Sequence, residues 1–408
     1  MIYTAILGHG TVGSGVAEIL IKHNKHVSEK VHDDISVKYI LELRDFSNLS
    51  YAAKFTKDFE KIINDNDVKI VAEVMGGISP AYDFVKRCLM SGKSVVSSNK
   101  ELVAAKGAEL LEIAAKNNVN FLFEASVGGG IPILRPIAQC LAANDINTIT
   151  GILNGTTNYI LNKMIVDGMD FATALSLAKE KGFAEKDPTA DIEGHDACRK
   201  ICILASLAFG KHVYPEQVKT EGISKVTLED VSYADKFNCA IKLIARAKRL
   251  PNGKICADVS PRLVGKNNIL SSVDGVFNAI VVRGDATGDV MFYGKGAGKM
   301  PTASAVVADI IDCAKHLHAR KYFYWQDGES DYVVDENSKE RLYVLLKSSD
   351  FKSLVDSFNN AFPENTWNIK NEYSGEIAFI TDEDFEDKIF AKIKKIKYDS
   401  FKYMKALI

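Results

Sequence analysis

The sequence predicts an α/β protein: an N-terminal doubly wound, Rossmann-type nucleotide domain, an α+β substrate and dimerisation domain, and a small C-terminal βαβ domain. Three observations carry this. A short apolar run, Ile2 to Leu7, leads into Gly8-His9-Gly10-Thr11-Val12-Gly13 and then a helical pattern, the strand–turn–helix setting that a dinucleotide fingerprint requires. Apolar runs and helical patterns then alternate as far as Glu124, which implies a parallel sheet. From about Tyr322 the composition turns acidic, aromatic and lysine-rich with few glycines, marking a separate unit. The expected boundaries are 1–130 for the nucleotide domain (completed by 285–320), 131–284, and 322–408.

Composition narrows the function classes. The 408 residues are 47% hydrophobic and 25% charged, with net charge −2, so no global basic excess argues for nucleic acid or an anionic membrane. Seven cysteines are scattered without a CxxC pair, as expected of a reducing, cytoplasmic compartment. The sequence starts directly in a strand, so no signal peptide is expected, and no apolar run is long enough to span a bilayer.

In the fingerprint, Gly8 makes the tight turn, Gly10 lets backbone approach a pyrophosphate, and Gly13 lets helix and strand pack closely. Thr11 and Val12 lie within this stretch, before the helical pattern Ser14 to Leu20, and the phosphates would sit among the unpaired N–H groups at that helix's N-terminus. Lys22 to Asp34 is a polar connection to a second strand, Ser36 to Leu43. After it, Glu42 and Asp45 flank Arg44: an arginine suits a 2′-phosphate, a carboxylate the free ribose hydroxyl. The balance leans to NADP, with NAD also open. A third strand, Val68 to Val74, ends at Met75-Gly76-Gly77. A helix, Ala81 to Ser91, leads to another strand whose carboxyl edge carries Asn99 and Lys100, placed to reach the crevice or to snorkel at the surface. A helix (Leu102 to Lys116) and a strand (Val119 to Glu124) follow. Glu124-Ala-Ser-Val127-Gly-Gly129-Gly-Ile131 is either a plain strand-to-helix turn or a loop whose carbonyls can ligate an alkali or calcium ion.

The second domain begins with a strand, Ile149 to Leu153, and Asn154-Gly155-Thr156-Thr157-Asn158 before a helix. It is mostly helical to Asp258 and closes in strands. A second glycine-dense stretch, Gly284 to Gly298, precedes the helix Pro301 to Leu317 and suggests a return to the nucleotide crevice. The most charged stretch is Gly182 to Lys200, with five carboxylates within 19 residues ahead of the apolar run ICILASLAFG. Asp196 and Lys200 are four apart and share one helix face. Glu185 and Asp191 lie on the broken approach, where carboxylates suit an ammonium and a lysine suits an oxygen that gains or loses a proton. A solvated charged loop is the bland alternative. In the C-terminal unit, Arg341 to Leu346 and Glu376 to Thr381 read as strands, and Phe351 to Phe362 and Asp384 to Ile396 as helices.

Assembled, GHGTVG, EVMGG, SSNKELVAAKG, EASVGGGIPI, GILNGTTNYIL, GFAEKDPTADIEGHDACRK and GDVMFYGKGAG followed by PTASAVVADI resemble homoserine dehydrogenases from residue 1 to about 320. The resemblance implies reversible NAD(P)H-dependent reduction of L-aspartate 4-semialdehyde to L-homoserine, on the threonine and methionine pathway, by a homodimer or tetramer. It implies Lys200 and Lys100 around the reacting oxygen and Asp196 orienting Lys200. It also implies Glu185, Asp191, Gly155 and Thr156 on the substrate, and Gly76, Asn99, Gly294, Gly296 and Gly298 on the nicotinamide side. Carbonyls of Glu124, Val127, Gly129 and Ile131 would hold a sodium-like ion.

Departures accompany the match. Lys186 and Lys295 stand where the family usually has proline, and Ser97-Ser98 replaces the commoner Thr-Ala. The C-terminal unit resembles an ACT domain through RLYVLLKSSDF and EIAFITDEDFEDKIFAKI, but its ligand turn reads Ser349-Asp350-Phe351-Lys352 without glycine, so a role in assembly rather than threonine sensing is expected. The rival readings are another semialdehyde or hydroxy-acid dehydrogenase, and a cofactor-binding regulator without activity.

Overall fold

The computed structural model describes residues 1–317, 319, 323–334 and 339–408. Strand Ile2–Leu7 lies inside a six-stranded sheet ordered Phe55–Thr56, Ile35–Leu41, Ile2–Leu7, Val68–Glu73, Ser94–Ser97, Phe121–Leu122. Every pairing in it is parallel. By position in the sequence the order is 3-2-1-4-5-6, the doubly wound arrangement whose ligand crevice lies at the carboxyl ends of the strands. Successive residues of Val68–Glu73 and Ser94–Ser97 are buried almost without alternation, as required when helices cover both faces. Helix Lys299–Lys315 returns to this domain and packs on helix Thr11–Lys22, as the second glycine stretch implied.

Two local expectations are corrected. The polar connection after Lys22 contains a helix, Asn24–Val31, because Val27 and Val31, four residues apart, form a buried stripe. Cys239–Arg249, read as part of a helical region, is an eleven-residue strand. It pairs antiparallel with Ile255–Gly265 from Arg249↔Ile255 to Cys239↔Gly265. Its alanines, lysines and arginines favour helix locally, but ladder pairing along the whole length and burial of nearly every residue from Cys239 to Ala247 outweigh that preference.

This hairpin is the middle of an eleven-stranded mixed sheet. On one side it continues through Ile146–Ile152 and Phe277–Gly284 to an edge strand, Gly288–Lys295. On the other it continues through Ser400–Leu407, Lys339–Lys347 and Glu376–Ile380 to Asn368–Asn371. The C-terminal unit is therefore βαββαβ, with helices Phe351–Ala361 and Glu386–Ile393, a ferredoxin-like order. The sequence reading lacked two of its strands, Asn368–Asn371 and Ser400–Leu407.

That unit has its own core around Leu342, Val344, Leu354, Phe358 and Ile389, yet it is not detached as the sequence suggested. Ser400–Leu407 pairs in parallel with the central hairpin through Arg262↔Lys405 and Val264↔Leu407, and Tyr343, Leu345 and Met404 join the main core. Arg262, fully buried, spans the junction between Asp258 at 2.6 Å and Glu340 at 3.4 Å. The expected boundary at Tyr322 lies outside the described residues. Among those residues, no helix is long and apolar enough to cross a membrane.

Candidate active site

The charged stretch folds into a short helix, Thr189–Ile192, and a long one, His195–Phe209, which starts after Gly194 and sinks its apolar run into the core. Asp196, in the first turn, is 2% exposed, and Lys200, one turn later, 7%. The Lys200 Nζ donates to Asp196 Oδ2 at 2.8 Å and to the Leu153 carbonyl at 2.8 Å. Lys100, at the start of helix Lys100–Lys116, contacts the other carboxylate oxygen, Asp196 Oδ1. One buried carboxylate thus holds two lysines from two helices.

Asn154, which caps helix Gly155–Asp167, ties the cluster together. Its side-chain N–H groups donate to Asp191 Oδ1 at 2.7 Å and Asp196 Oδ2 at 2.9 Å. In the sequence Asn154 is a small polar residue before a helix, and asparagine at a helix N-cap is its one local signal.

Burial alone would raise the Asp196 carboxyl, but the ammoniums of Lys200 and Lys100 outweigh it and hold the group well below the carboxylate range. Burial lowers Lys200, and the charge of Lys100 adds to this against the pull of Asp196. For Lys100 burial also opposes the charge, but Asp196 outweighs it and raises the group. Asp191 is raised, chiefly by burial. The cluster therefore pairs a lysine held charged with one displaced toward losing its proton.

These groups line a cavity of about 400 Å³ together with Gly155, Thr156, Lys295, Gly296 and Gly298. Thr156 Oγ1 donates to the Phe183 carbonyl at 2.6 Å, fixing the loop that closes one end. Glu185 is exposed on that loop and is not brought into the cavity wall. Gly294 packs against Ile131, just outside it.

The nucleotide crevice adjoins the cluster. A Cβ on Gly13 would stand 2.1 Å from the Gly8 carbonyl oxygen, whereas one on Gly10 would meet nothing within 4 Å. Backbone is thus pressed together behind the loop and open in front of the helix beginning at Thr11 and Val12, a cradle that fits a pyrophosphate. Asn99 caps helix Lys100–Lys116 through the Leu102 N–H at 3.1 Å and donates to the Gly77 carbonyl at 2.6 Å, beside Gly76. Behind it Glu73, buried and given no role in the sequence reading, accepts from Ser97 Oγ at 2.6 Å and the Met75 N–H at 2.9 Å. A carboxylate in an otherwise apolar strand was the signal for it.

At the far end a cavity of about 390 Å³ is lined by Gly8, Gly10, Glu42, Arg44 and Lys57. Arg44 Nη2 lies 2.9 Å from Glu42 Oε2 and 3.3 Å from the His9 carbonyl. Its hydrogen bonds hold the Glu42 carboxyl at about 2.

In the turn from Glu124 to Ile131, the Glu124 carboxylate accepts three backbone N–H groups, from Ile133, Leu134 and Arg135, at 2.6–2.8 Å. Its side chain is thereby consumed in capping. Any ligand role would fall to the backbone carbonyls of Glu124, Val127, Gly129 and Ile131, a donor type that suits a hard monovalent cation.

Residues 8–124 match the family described as homoserine dehydrogenase, NAD-binding domain, which makes this an NAD(P)-dependent oxidoreductase. Residues 132–311 match the family described as homoserine dehydrogenase. The homoserine dehydrogenase of Synechocystis sp. is 45% identical over 318 residues, 75% of this chain and 72% of that protein. The crystal structure of a homoserine dehydrogenase from Thiobacillus denitrificans superposes with a TM-score of 0.89 at 33% identity, covering 99% of this chain and 98% of that one. A hyperthermophilic archaeal homoserine dehydrogenase mutant in complex with NADPH matches with a TM-score of 0.65 at 29% identity, over 76% of this chain and 97% of that one. The chain belongs to the homoserine dehydrogenase family.

Proposed function

We propose that the cavity around Lys200 interconverts L-homoserine and L-aspartate 4-semialdehyde, and that Lys200, held with Lys100 on the shared carboxylate of Asp196, carries the proton chemistry. A nicotinamide nucleotide, when bound, accepts or supplies the hydride. In the oxidative direction the Lys200 amine takes the hydroxyl proton, since burial already favours its neutral form. Lys100, held cationic by Asp196, stabilises the developing oxyanion. In the reductive direction the Lys200 ammonium returns the proton. Asn154 keeps Asp191 and Asp196 at fixed separation, and Asp191 faces the substrate ammonium. Glu185, exposed on the loop at the cavity's end, adds negative charge that draws the same ammonium in.

Pyrophosphate at Gly8, Gly10 and Gly13 follows from the glycine cradle. Gly76, Asn99, Gly296 and Gly298 border the nicotinamide, with Gly294 behind them. Arg44 and Lys57 support NADP as the preferred nucleotide, while Glu42 in the same cavity supports use of NAD as well. A sodium-like ion on the Glu124, Val127, Gly129 and Ile131 carbonyls would brace the turn behind Lys295, whose carbonyl accepts the Gly130 N–H at 3.1 Å. The C-terminal βαββαβ unit is a diverged ACT-like module serving assembly, and the chain works as a homodimer or tetramer.

Oxidation of L-homoserine, followed by reduced-nucleotide absorbance with NAD and NADP in parallel and with threonine added, tests this reading. Turnover favouring NADP and indifferent to threonine is expected. Absence of turnover in folded protein would contradict it.

A further inference from the structure

Helices Lys100–Lys116 and His195–Phe209 pack together at the active site but belong to different parts of the chain. The first lies in the stretch that matches an NAD-binding domain, the second in the family match that follows it. Near their N-terminal ends they exchange charges in opposite senses. Lys100 of the first helix contacts Asp196 of the second, and Arg199 of the second lies 3.2 Å from Glu101 of the first. A third tie is set three residues along the first helix, where the His212 Nε2–H donates to the Ala104 carbonyl at 2.8 Å. That tautomer is fixed, because His212 Nδ1 accepts the Trp325 Nε1–H at 2.8 Å.

The nucleotide crevice is built on the first helix, since Asn99, which caps it, donates to the Gly77 carbonyl. The substrate cavity is built on the second, since Lys200 donates to the Leu153 carbonyl. Hydride passes between the two frames, so their register is part of the reaction geometry. Of the three ties, Lys100–Asp196 is engaged in the chemistry, and its hold weakens when the Lys100 ammonium turns to a developing oxyanion. His212 alone is a single point about which one helix can rotate on the other. Glu101 and Ala104, three residues apart, are neighbours on one helix face, so a tie at Glu101 removes that freedom.

We propose that the Glu101–Arg199 ion pair is a latch that keeps the two helices in register during hydride transfer, with both as positioning residues. This rests on the dehydrogenase reading above and goes beyond it. The two side chains are 36% and 28% exposed, so the pair adds little to stability. Its leverage is geometric, because a misplacement of about 1 Å costs up to about 10²-fold in rate.

Glu101→Gln and Arg199→Met each break the latch while changing the local charge in opposite directions. Glu101→Arg combined with Arg199→Glu restores the pair with its charges exchanged. Four quantities are measured: kcat for L-homoserine, its isotope effect with substrate deuterated at carbon 4, nucleotide affinity by fluorescence titration, and the denaturant midpoint. Each single variant should lose about tenfold in kcat. Its isotope effect should be no smaller than that of wild type, which places the loss in the hydride step. Nucleotide affinity should stay within about twofold and the midpoint nearly unchanged. The exchanged pair should recover kcat to within about threefold of wild type.

Single variants that keep kcat within about twofold of wild type would overturn the proposal. So would kcat changes of opposite sign in the two, which would show a charge effect on Lys100. A diminished isotope effect, a lowered midpoint or nucleotide affinity that accounts for the loss, or an exchanged pair no better than the singles would overturn it too. A wild-type protein that does not oxidise L-homoserine would remove the functional reading and the latch with it, and that control tells the two failures apart.

Discussion

Lys200 and Asp196 lie one helical turn apart, joined at 2.8 Å in the core, while the second oxygen of Asp196 is taken by Lys100. The carboxylate raises the pKa of Lys200, and burial and the second ammonium lower it. The pair thus sets where Lys200 changes protonation. In Asp196→Asn the raising influence is lost and the lowering ones remain, so the Lys200 pKa falls further. Homoserine oxidation needs the neutral amine, so the rising limb of its pH–rate profile should move to lower pH than in wild type. The maximum rate should fall about 10²–10⁴-fold through lost orientation. A limb unmoved or displaced upward would contradict the assignment.

Arg44 and Glu42 predict opposite effects on cofactor choice. If Arg44 receives a 2′-phosphate as proposed, Arg44→Ala should raise KM for NADP about tenfold while leaving that for NAD nearly unchanged. Glu42→Gln frees Arg44 from its ion pair and should shift the NADP/NAD ratio toward NADP. Paired kcat/KM measurements with both nucleotides check this.

Gly13→Ala would drive a methyl group against the Gly8 carbonyl, where an added Cβ stands only 2.1 Å away. The loop must then shift, at a cost on the order of 1–3 kcal/mol. Nucleotide affinity measured by fluorescence titration should fall at least ~10-fold.

Arg262 joins the central hairpin to the C-terminal unit, so Arg262→Ala removes the cation that Asp258 and Glu340 share, leaving them Lys405 at 3.9 Å and Arg246 at 3.2 Å, and should destabilise the protein by up to about 3 kcal/mol. Burial would raise the Asp258 carboxyl, but Arg262 and Lys405 hold it below its usual value. Its contribution to wild-type stability is therefore present above about pH 4 and lost as pH falls through the depressed folded value. Denaturant melts at pH 7 and at acid pH check both statements.

The nucleotide domain was legible in the sequence because its signals are local: apolar strands, glycines at fixed spacing, and the helix they open. Asp196 and Lys200 were legible for the same reason, being four residues apart on one helix. Glu73 and Asn154 were not, since their importance comes from partners brought together by the fold, such as Ser97 for Glu73 and Asp196 for Asn154. Cys239–Arg249 was misread because its helix-forming composition yields to a ladder partner that only the tertiary structure supplies. The joined sheet is not legible in the sequence because Ser400–Leu407, the strand that makes the junction, shows little beyond alternating lysines and aromatics.

The most direct test of the central claim is turnover of L-homoserine by Lys200→Met, with reduced-nucleotide binding measured on the same preparation. The variant should bind the nucleotide with an affinity within about twofold of wild type while kcat falls about 10³-fold or more. Turnover comparable to wild type would remove Lys200 from the proton chemistry and contradict the account.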